Sequence, residues 1–110
     1  MEEKPVEEKV KKAVKTLKAL SNERRLMIIC ALHNQDNGEL SVGALEEMIG
    51  LSQSALSQHL ARLRRDGFVK TRRDAQTIYY SLNSNDVQQI LETLHNMYCP
   101  ETKHFGNAED

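Results

Sequence analysis

A glycine, a leucine and a serine at positions 50 to 52 constrain the fold of this chain more than any other feature. Glycine commonly forms the left-handed cap that ends a helix, and serine is a preferred N-cap of the next one. Apolar residues recur at helical spacing before Gly50, starting from Ser41, and after Ser52 as far as Gly67. The sequence therefore predicts two short helices joined by a turn of about three residues, which is a helix-turn-helix.

The segments on either side predict further helices and a hairpin. Residues 6–20 carry an apolar stripe, Ser21 is a predicted N-cap, and the run from 26 to 32 is apolar on all sides, which is typical of a core helix. Residues 68–82 are rich in β-branched and aromatic side chains, which predicts two strands around a turn at 74–76. A last amphipathic helix starts after Ser84 and ends near Cys99.

Together these elements predict a mostly α fold with one small β-hairpin. The order is that of a winged helix-turn-helix domain with an extra helix at each end, spanning residues 1–100. Residues 101–110 show no pattern and are predicted to be a flexible tail. A monomer of 110 residues buries only about two-thirds of its unfolded surface, so pairing with a second copy would enlarge the core.

The charge of the chain is unevenly distributed. The formal net charge is −1, yet residues 51–77 contain six basic and two acidic side chains, a local charge of +4. Such asymmetry favours an anionic partner for the middle of the chain, although a solvated face of mixed charges would look similar.

The second helix of the helix-turn-helix has an unusual polar side. Three leucines gather on one side of a helical wheel, and short serine and amide side chains gather on the other. Such side chains let a helix approach the edges of bases in a DNA major groove, and arginines further along can neutralise phosphates. We therefore predict double-stranded DNA as the partner, with contacts from Gln53, Ser54, Ser57, Gln58, Arg62 and Arg65, and from Arg72, Arg73 and Gln76 at the hairpin tip. His59 falls beside the leucines and is predicted to be a core histidine with a satisfied hydrogen bond.

Two other properties concern where the chain acts. It contains no apolar run of the ~20 residues that a membrane span needs, and its start is acidic and hydrophilic rather than a secretory signal. We therefore expect a cytoplasmic protein with no membrane partner, in which Cys30 and Cys99 are reduced at rest.

The runs ALSNERRLMIICAL and LSQSALSQHLARLRRDGFVKTRRDAQTIYYSL closely resemble the ArsR family of bacterial winged-helix repressors. The resemblance covers roughly residues 13–99. It implies a homodimer formed by the terminal helices, in which each protomer reads one half of an inverted-repeat operator. It also implies groove contacts from Gln53, Ser54, Ser57 and Gln58, which agrees with the helical wheel.

The metal sites known in that family are not matched here. Residues 42–50 contain no cysteine for a thiolate site, and Asp86 is followed by Val87 and Gln88 rather than by a histidine ligand. Zinc needs three or four ligands, so we predict no metal and no cofactor. A different site built from His33, His95, His104 and Cys99 is a minor alternative.

The positions of the two cysteines resemble the sulfide- and persulfide-responsive branch of the family. They lie in MIICAL and MYCPE. The resemblance implies a disulfide or polysulfide bridge between Cys30 and Cys99 that releases DNA. Because a cysteine at a helix end is the more accessible thiolate, we expect Cys99 to react first and Cys30 to be the resolving partner. The alternative is that Cys30 is a small core residue and Cys99 an incidental surface thiol.

Three other functions compete with the hypothesis of a homodimeric repressor switched by reactive sulfur species. The same DNA-binding protein could respond to another oxidant or to a metal, or have no thiol switch. A thiol enzyme is disfavoured because the chain has no C-x-x-C, no glycine-rich cofactor loop and no cysteine flanked by an activating base. A protein-binding winged helix is disfavoured by the basic hairpin and the serine and glutamine side chains.

Overall fold

The computed structural model describes residues 3–99, with side chains described from residue 6 onward. Its elements follow the predicted order, with one addition. They are α1 (Glu3–Leu20), α2 (Glu23–His33), β1 (Glu39–Ser41), α3 (Val42–Ile49), α4 (Gln53–Arg65), β2 (Val69–Asp74), β3 (Thr77–Leu82) and α5 (Asn85–Tyr98). The predicted tail at 101–110 lies outside the described residues.

The predicted caps are formed by short side chains. The Oγ atom of Ser52 accepts a hydrogen bond from the backbone N–H of Ala55 at 3.2 Å, and Ser41 and Ser84 cap α3 and α5 in the same way. Gly50 ends α3 with a φ of 77°, in the left-handed region that glycine adopts without strain. The N-cap predicted for α2 was wrong by one residue, because Asn22 rather than Ser21 accepts from the first turn.

The sheet contains one strand more than predicted. The order is β1-β3-β2, fully antiparallel, so the predicted hairpin of β2 and β3 gains β1 along the free edge of β3. Asp74 pairs with Thr77 inside the ladder, which leaves Ala75 and Gln76 as the turn. Ala75 has a φ of 58°, a conformation that tight two-residue hairpin turns require and that alanine adopts at some cost.

The core is organised around α2, as predicted. Ile28, Ile29 and Leu32 are at most 1% exposed, and the leucines of α4 pack on them. Leu45 from α3 and Leu91 from α5 complete the same cluster. Burial of one side of α4 fixes its orientation, so its polar side faces outward.

A buried arginine joins α1 to α2. The side chain of Arg25 is 8% exposed, and it donates from Nε to the carbonyl of Ala19 at 3.0 Å and from Nη2 to that of Lys18 at 3.1 Å. These carbonyls belong to the last turn of α1, where no further backbone donors follow within the helix. Arg25 therefore satisfies the end of α1 and fixes its angle to α2.

The terminal helices leave apolar side chains exposed. Most of the predicted stripe of α1 lies on the surface of the protomer, since among the described side chains of that helix only Thr16, Ala19 and Leu20 are buried. An apolar ridge remains on its surface, with exposures of 58%, 55%, 41% and 57% for Val6, Val10, Val14 and Leu17. At the end of α5, Met97 and Tyr98 are 60% and 66% exposed. Within the described residues, no helix has the length and hydropathy that crossing a membrane requires.

Candidate nucleic-acid interface and thiol pair

The outward side of α4 carries the side chains predicted to contact DNA. Gln53, Ser54, Ser57 and Gln58 are all exposed, and we call them the polar face of α4. The leucines at 56, 60 and 63 are at most 2% exposed and hold the helix from behind. All four side chains are serine or glutamine and lie within the first six residues of α4, near the end of the helix at which a docked helix meets base edges. The polar face is thus presented by a rigid element rather than by a loop.

The arginines of α4 divide into two groups. The Nε atom of Arg62 is buried and lies 3.9 Å from the Asp66 carboxylate, whereas the Arg62 side chain as a whole is 42% exposed. Arg65 also approaches Asp66, at 3.6 Å, but its side chain is 74% exposed. Arg64, which was not among the predicted contacts, is exposed beside it. Its spacing of three residues from Ala61 and seven from Ser57 was the signal in the sequence that could have identified it.

A cleft separates α4 from the sheet. It has a volume of about 450 Å³ and is lined by Val42, Ser57, Leu60, Ala61, Arg64, Arg65 and Tyr80. Ser57 and the two arginines therefore share one concave surface with the aromatic ring of β3. An extended anion that lies along α4 would meet both arginines there.

The hairpin of β2 and β3 is here called the wing. Its three predicted contact residues differ from one another in whether they are paired within the chain. Arg73 and Gln76 are exposed, and Arg73 forms no ion pair with the rest of residues 6–99. Arg72 is also exposed but is paired with a residue of the same chain, because its guanidinium donates to both carboxylate oxygens of Glu39 at 2.8 Å. It also lies 4.6 Å from the centroid of the Tyr79 ring. Arg72 is thus already paired before any DNA is present.

His59 is half-buried between α4 and the α1–α2 junction. Burial lowers its pKa, and the positive charges of Arg25 and Arg62 lower it further. The hydrogen bond predicted for this side chain is not formed among the residues that the structure describes. The imidazole is therefore kept neutral by its surroundings rather than by a hydrogen-bond partner.

The two cysteines approach each other from different helices. Cys30 lies in α2 and is 4% exposed, and Cys99 is the half-buried C-cap residue of α5, whose N–H donates to the carbonyl of His95 at 2.8 Å. Both are thiols. Burial and, as the smaller cause, the charge that Cys99 would carry together raise the pKa of Cys30 to about 12. The charges of this thiol pair, Cys30 and Cys99, therefore interact between α2 and α5.

The two thiols should differ strongly in reactivity. A Cys30 pKa of about 12 instead of 9.0 lowers its thiolate fraction at neutral pH by about 1,000-fold. We expect iodoacetamide at pH 7.5 to label Cys99 while Cys30 stays unlabelled, as read by peptide mass spectrometry. The labelling rate of Cys30 should still rise with each pH step up to 9, because that range lies below its pKa. Unfolding in guanidinium should expose both thiols equally, and equal labelling of the native protein would contradict the assignment.

The thiol pair is not part of a larger set of metal ligands. Among the side chains that the structure describes, no three or more of His, Cys, Asp and Glu are grouped so that they could hold a metal ion. His104, one member of the alternative site considered from the sequence, lies outside the described residues.

The fold and the exposed face of α4 define a class, the winged helix-turn-helix regulators of transcription. The chain belongs to the ArsR family: the model of bacterial regulatory proteins of the arsR family matches residues 22–71, and relatives of that kind match most of the chain. This confirms the family resemblance drawn from the sequence.

Several relatives and solved structures are similar to this chain. The transcriptional activator HlyU of Vibrio cholerae serotype O1 is 60% identical over 88 residues, which cover 80% of this chain and 79% of HlyU. The structure described as reduced HlyU from V. cholerae N16961 superposes with a TM-score of 0.78 at 55% identity, covering 86% of this chain and 97% of that one. The transcriptional repressor BigR from Xylella fastidiosa gives a TM-score of 0.76 at 38% identity, covering 90% and 98%. The chain is therefore a DNA-binding regulator and not an enzyme.

Proposed function

We propose that this chain is a homodimeric transcriptional repressor of the bacterial cytoplasm whose DNA affinity is switched by reactive sulfur species. The switch is a disulfide or polysulfide bridge between Cys30 and Cys99. The observation that carries the proposal is the position of these thiols, one inside α2 and one at the accessible end of α5, close enough to affect each other's ionisation. One relative has a solved form described as reduced, which is consistent with a redox input to that protein.

The polar face of α4 is the proposed reader of DNA sequence. Glutamine can make paired hydrogen bonds to adenine, and serine can bond to either kind of base edge in the major groove. Gln53, Ser54, Ser57 and Gln58 are exposed and lie in the first half of α4. Arg64 and Arg65, in the last turn of the helix, are the proposed phosphate contacts from α4, because they border the cleft beside the polar face.

The second protomer is proposed to cover the terminal helices. The apolar ridge of α1 has four large side chains that are each more than 40% exposed, and Met97 and Tyr98 extend apolar surface at the end of α5. A contiguous exposed apolar surface of this kind marks an interaction site. A two-fold dimer would present two copies of α4 to the two halves of an inverted repeat.

The first chemical step assigned to the switch is sulfur transfer to Cys99. A thiolate is the attacking species, and the accessible thiol at the end of α5 is favoured over the buried Cys30 with its raised pKa. The Cys99 thiolate attacks the outer sulfur of a persulfide donor R–S–SH, and R–S⁻ leaves. The product is a Cys99 persulfide, Cys99–S–SH, in which the transferred sulfur remains at the same oxidation level.

The second step closes the bridge. Cys30 gives up its proton and its sulfur attacks Sγ of the Cys99 persulfide, so that an S–S bond forms and HS⁻ leaves. In total, two thiols are oxidised, the sulfane sulfur is reduced, and the products are the disulfide, R–SH and H₂S. If Cys30 instead takes the outer sulfur of a second donor, R–S⁻ leaves and Cys30–S–SH forms. The outer sulfur of the Cys99 persulfide then attacks Sγ of Cys30, HS⁻ leaves, and a trisulfide results. Proximity within the fold offsets the low thiolate fraction of Cys30.

Closure of the bridge would affect both the DNA-binding helix α4 and the proposed dimer surface. Cys30 belongs to the same buried cluster as Leu56, Leu60 and Leu63 of α4, and Cys99 ends the helix that carries Tyr98 at the proposed dimer surface. A covalent link between these points would therefore bias the position of α4 relative to the dimer axis. Binding to an inverted repeat depends on the spacing of two such helices, so affinity would fall.

Intact mass spectrometry with a parallel measurement of DNA affinity tests the proposal. The reduced protein is treated separately with a persulfide donor, hydrogen peroxide and glutathione disulfide. We expect the persulfide donor to release DNA together with a loss of about 2 Da for a disulfide, or a gain of about 30 Da for a trisulfide. Release by peroxide with an equal mass change would favour the alternative input by a general oxidant. Bridge formation without release would refute the switch.

A further inference from the structure

The pairing of Arg72 with Glu39 spans the whole sheet. Glu39 lies in β1 and Arg72 in β2, the two outer strands, and Tyr79 of the central strand β3 lies beneath the guanidinium. Both hydrogen bonds measure 2.8 Å, and the partners are 33 residues apart in the chain. The planar guanidinium is thus fixed by two parallel hydrogen bonds and by a ring face, a geometry that lysine could not reproduce.

The register of the sheet places the two wing arginines on opposite faces. Arg72 is directly opposite Tyr79, and Arg73 is opposite Ile78. Successive side chains of a strand alternate between faces, so Arg73 shares its face with Tyr80, two residues along from Ile78. Tyr80 lines the cleft with Arg64 and Arg65. Arg73 is therefore on the side of the sheet that faces α4, and Arg72 is on the other.

The two wing arginines also differ in whether a carboxylate already neutralises them. The hydrogen bonds from Arg72 hold the pKa of the Glu39 carboxyl below its usual value, so the pair remains charged on both sides at neutral pH. A phosphate would have to displace this carboxylate to bind Arg72. Arg73 has no such competitor within residues 6–99.

We propose that Arg72 and Glu39 are positioning residues that fasten the wing to β1, and that Arg73 is the wing residue that contacts the DNA phosphates. This inference rests on the proposed DNA-binding face of α4, next to which Arg73 lies. It differs from the expectation from the sequence, in which both arginines bind DNA. Arg72 lies midway along the hairpin, two residues before Asp74 at the turn. The role of the pair is to fix the position of Arg73 and Gln76 relative to α4.

The salt dependence of DNA binding distinguishes a phosphate contact from a positioning residue. Each phosphate contact that is lost flattens the plot of log affinity against log salt by about 0.9, whereas a misplaced wing weakens binding for other reasons. The DNA is a duplex selected from a random-sequence pool by the wild-type protein. Arg73→Ala should flatten the slope by about 0.9 and weaken binding to unrelated duplexes equally. Arg72→Ala and Glu39→Gln should both weaken binding while the slope stays that of wild type.

The double variant Glu39→Gln/Arg72→Ala supplies a second readout. If the two side chains act only as a pair, it should bind no more weakly than Arg72→Ala alone. If Arg72 were instead a phosphate contact restrained by Glu39, Glu39→Gln would tighten binding and Arg72→Ala would flatten the slope, and either result overturns the inference. An unchanged slope for Arg73→Ala overturns its assignment as well. Far-ultraviolet circular dichroism confirms that each variant is folded.

Gln58→Ala serves as the matched control for the underlying DNA-binding face. It should weaken binding to the selected duplex by about 5- to 150-fold without changing the salt slope, because a base contact neutralises no phosphate. If Gln58→Ala binds like wild type, the proposed groove contacts of α4 fail, whereas the comparison of Arg72 with Arg73 still decides the roles within the wing.

Discussion

Replacing Cys99 with serine should leave DNA binding by the reduced protein unchanged and abolish release by a persulfide donor. In the wild-type protein we expect the donor to weaken binding by about 5- to 150-fold, the range typical of coupling between two sites. Serine keeps the size and polarity of the side chain at the end of α5 but cannot accept sulfur. The measurement is a titration of fluorescent operator duplex before and after treatment with the donor.

The physical reason is that neither thiol can complete the bridge alone. Cys30 is 4% exposed and its pKa is raised to about 12, so it does not start the reaction from solution at neutral pH. Removing Cys99 therefore removes the entry point for sulfur. Continued release by Cys99→Ser would refute the two-cysteine switch.

The matched control is Cys30→Ala, which keeps the entry point and removes the partner. Cys99 in this variant should still gain one sulfur atom by intact mass, yet DNA should stay bound. If Cys30→Ala releases DNA on modification of Cys99 alone, a single persulfide is sufficient and the bridge is not the switch. Because alanine in place of a buried cysteine leaves a small cavity, its melting curve should be recorded alongside.

A charge placed on the apolar ridge should dissociate the proposed dimer. Leu17 is 57% exposed in the protomer, so Leu17→Glu should not affect folding of the single chain. In a dimer that covers the ridge, the new carboxylate would be buried without a partner, at a cost of about 3–5 kcal/mol. We therefore expect the dimer dissociation constant to rise by at least about 100-fold, as measured by analytical ultracentrifugation.

Loss of the dimer should weaken DNA binding in the same variant. A monomer would bind only one half of an inverted repeat, so affinity for the full operator should approach that for a half-site. Lys11→Glu places the same carboxylate on another face of α1 and should remain a dimer. If Leu17→Glu sediments like wild type at every concentration, the protomers meet through a different surface.

The features that the sequence predicted well are those that depend on neighbouring residues. Ser41, Gly50, Ser52 and Ser84 delimit helices through hydrogen bonds to the next turn or through local backbone geometry. The polar face of α4 follows from helical spacing in the same way. Such features require no knowledge of which elements pack together.

The features that it missed depend on contacts between distant parts of the chain. β1 is only three residues long, too short to show an alternating pattern, and it exists because it pairs with β3. The pairing of Arg72 with Glu39 follows from that sheet and could not be predicted without it. The resemblance to a family, not spacing, suggested that Cys30 and Cys99 act together.

The burial of Cys30 also has a consequence for how long a response would last. A bridge to Cys99 would be reduced by attack of a small thiol on the more accessible sulfur, with Cys30 as the leaving group. Thiols with a high pKa leave slowly, and the pKa of Cys30 is about 12. The oxidised regulator would therefore return slowly to its DNA-binding form. Target genes would stay expressed after the reactive sulfur species had been consumed, so a brief exposure would cause a prolonged response.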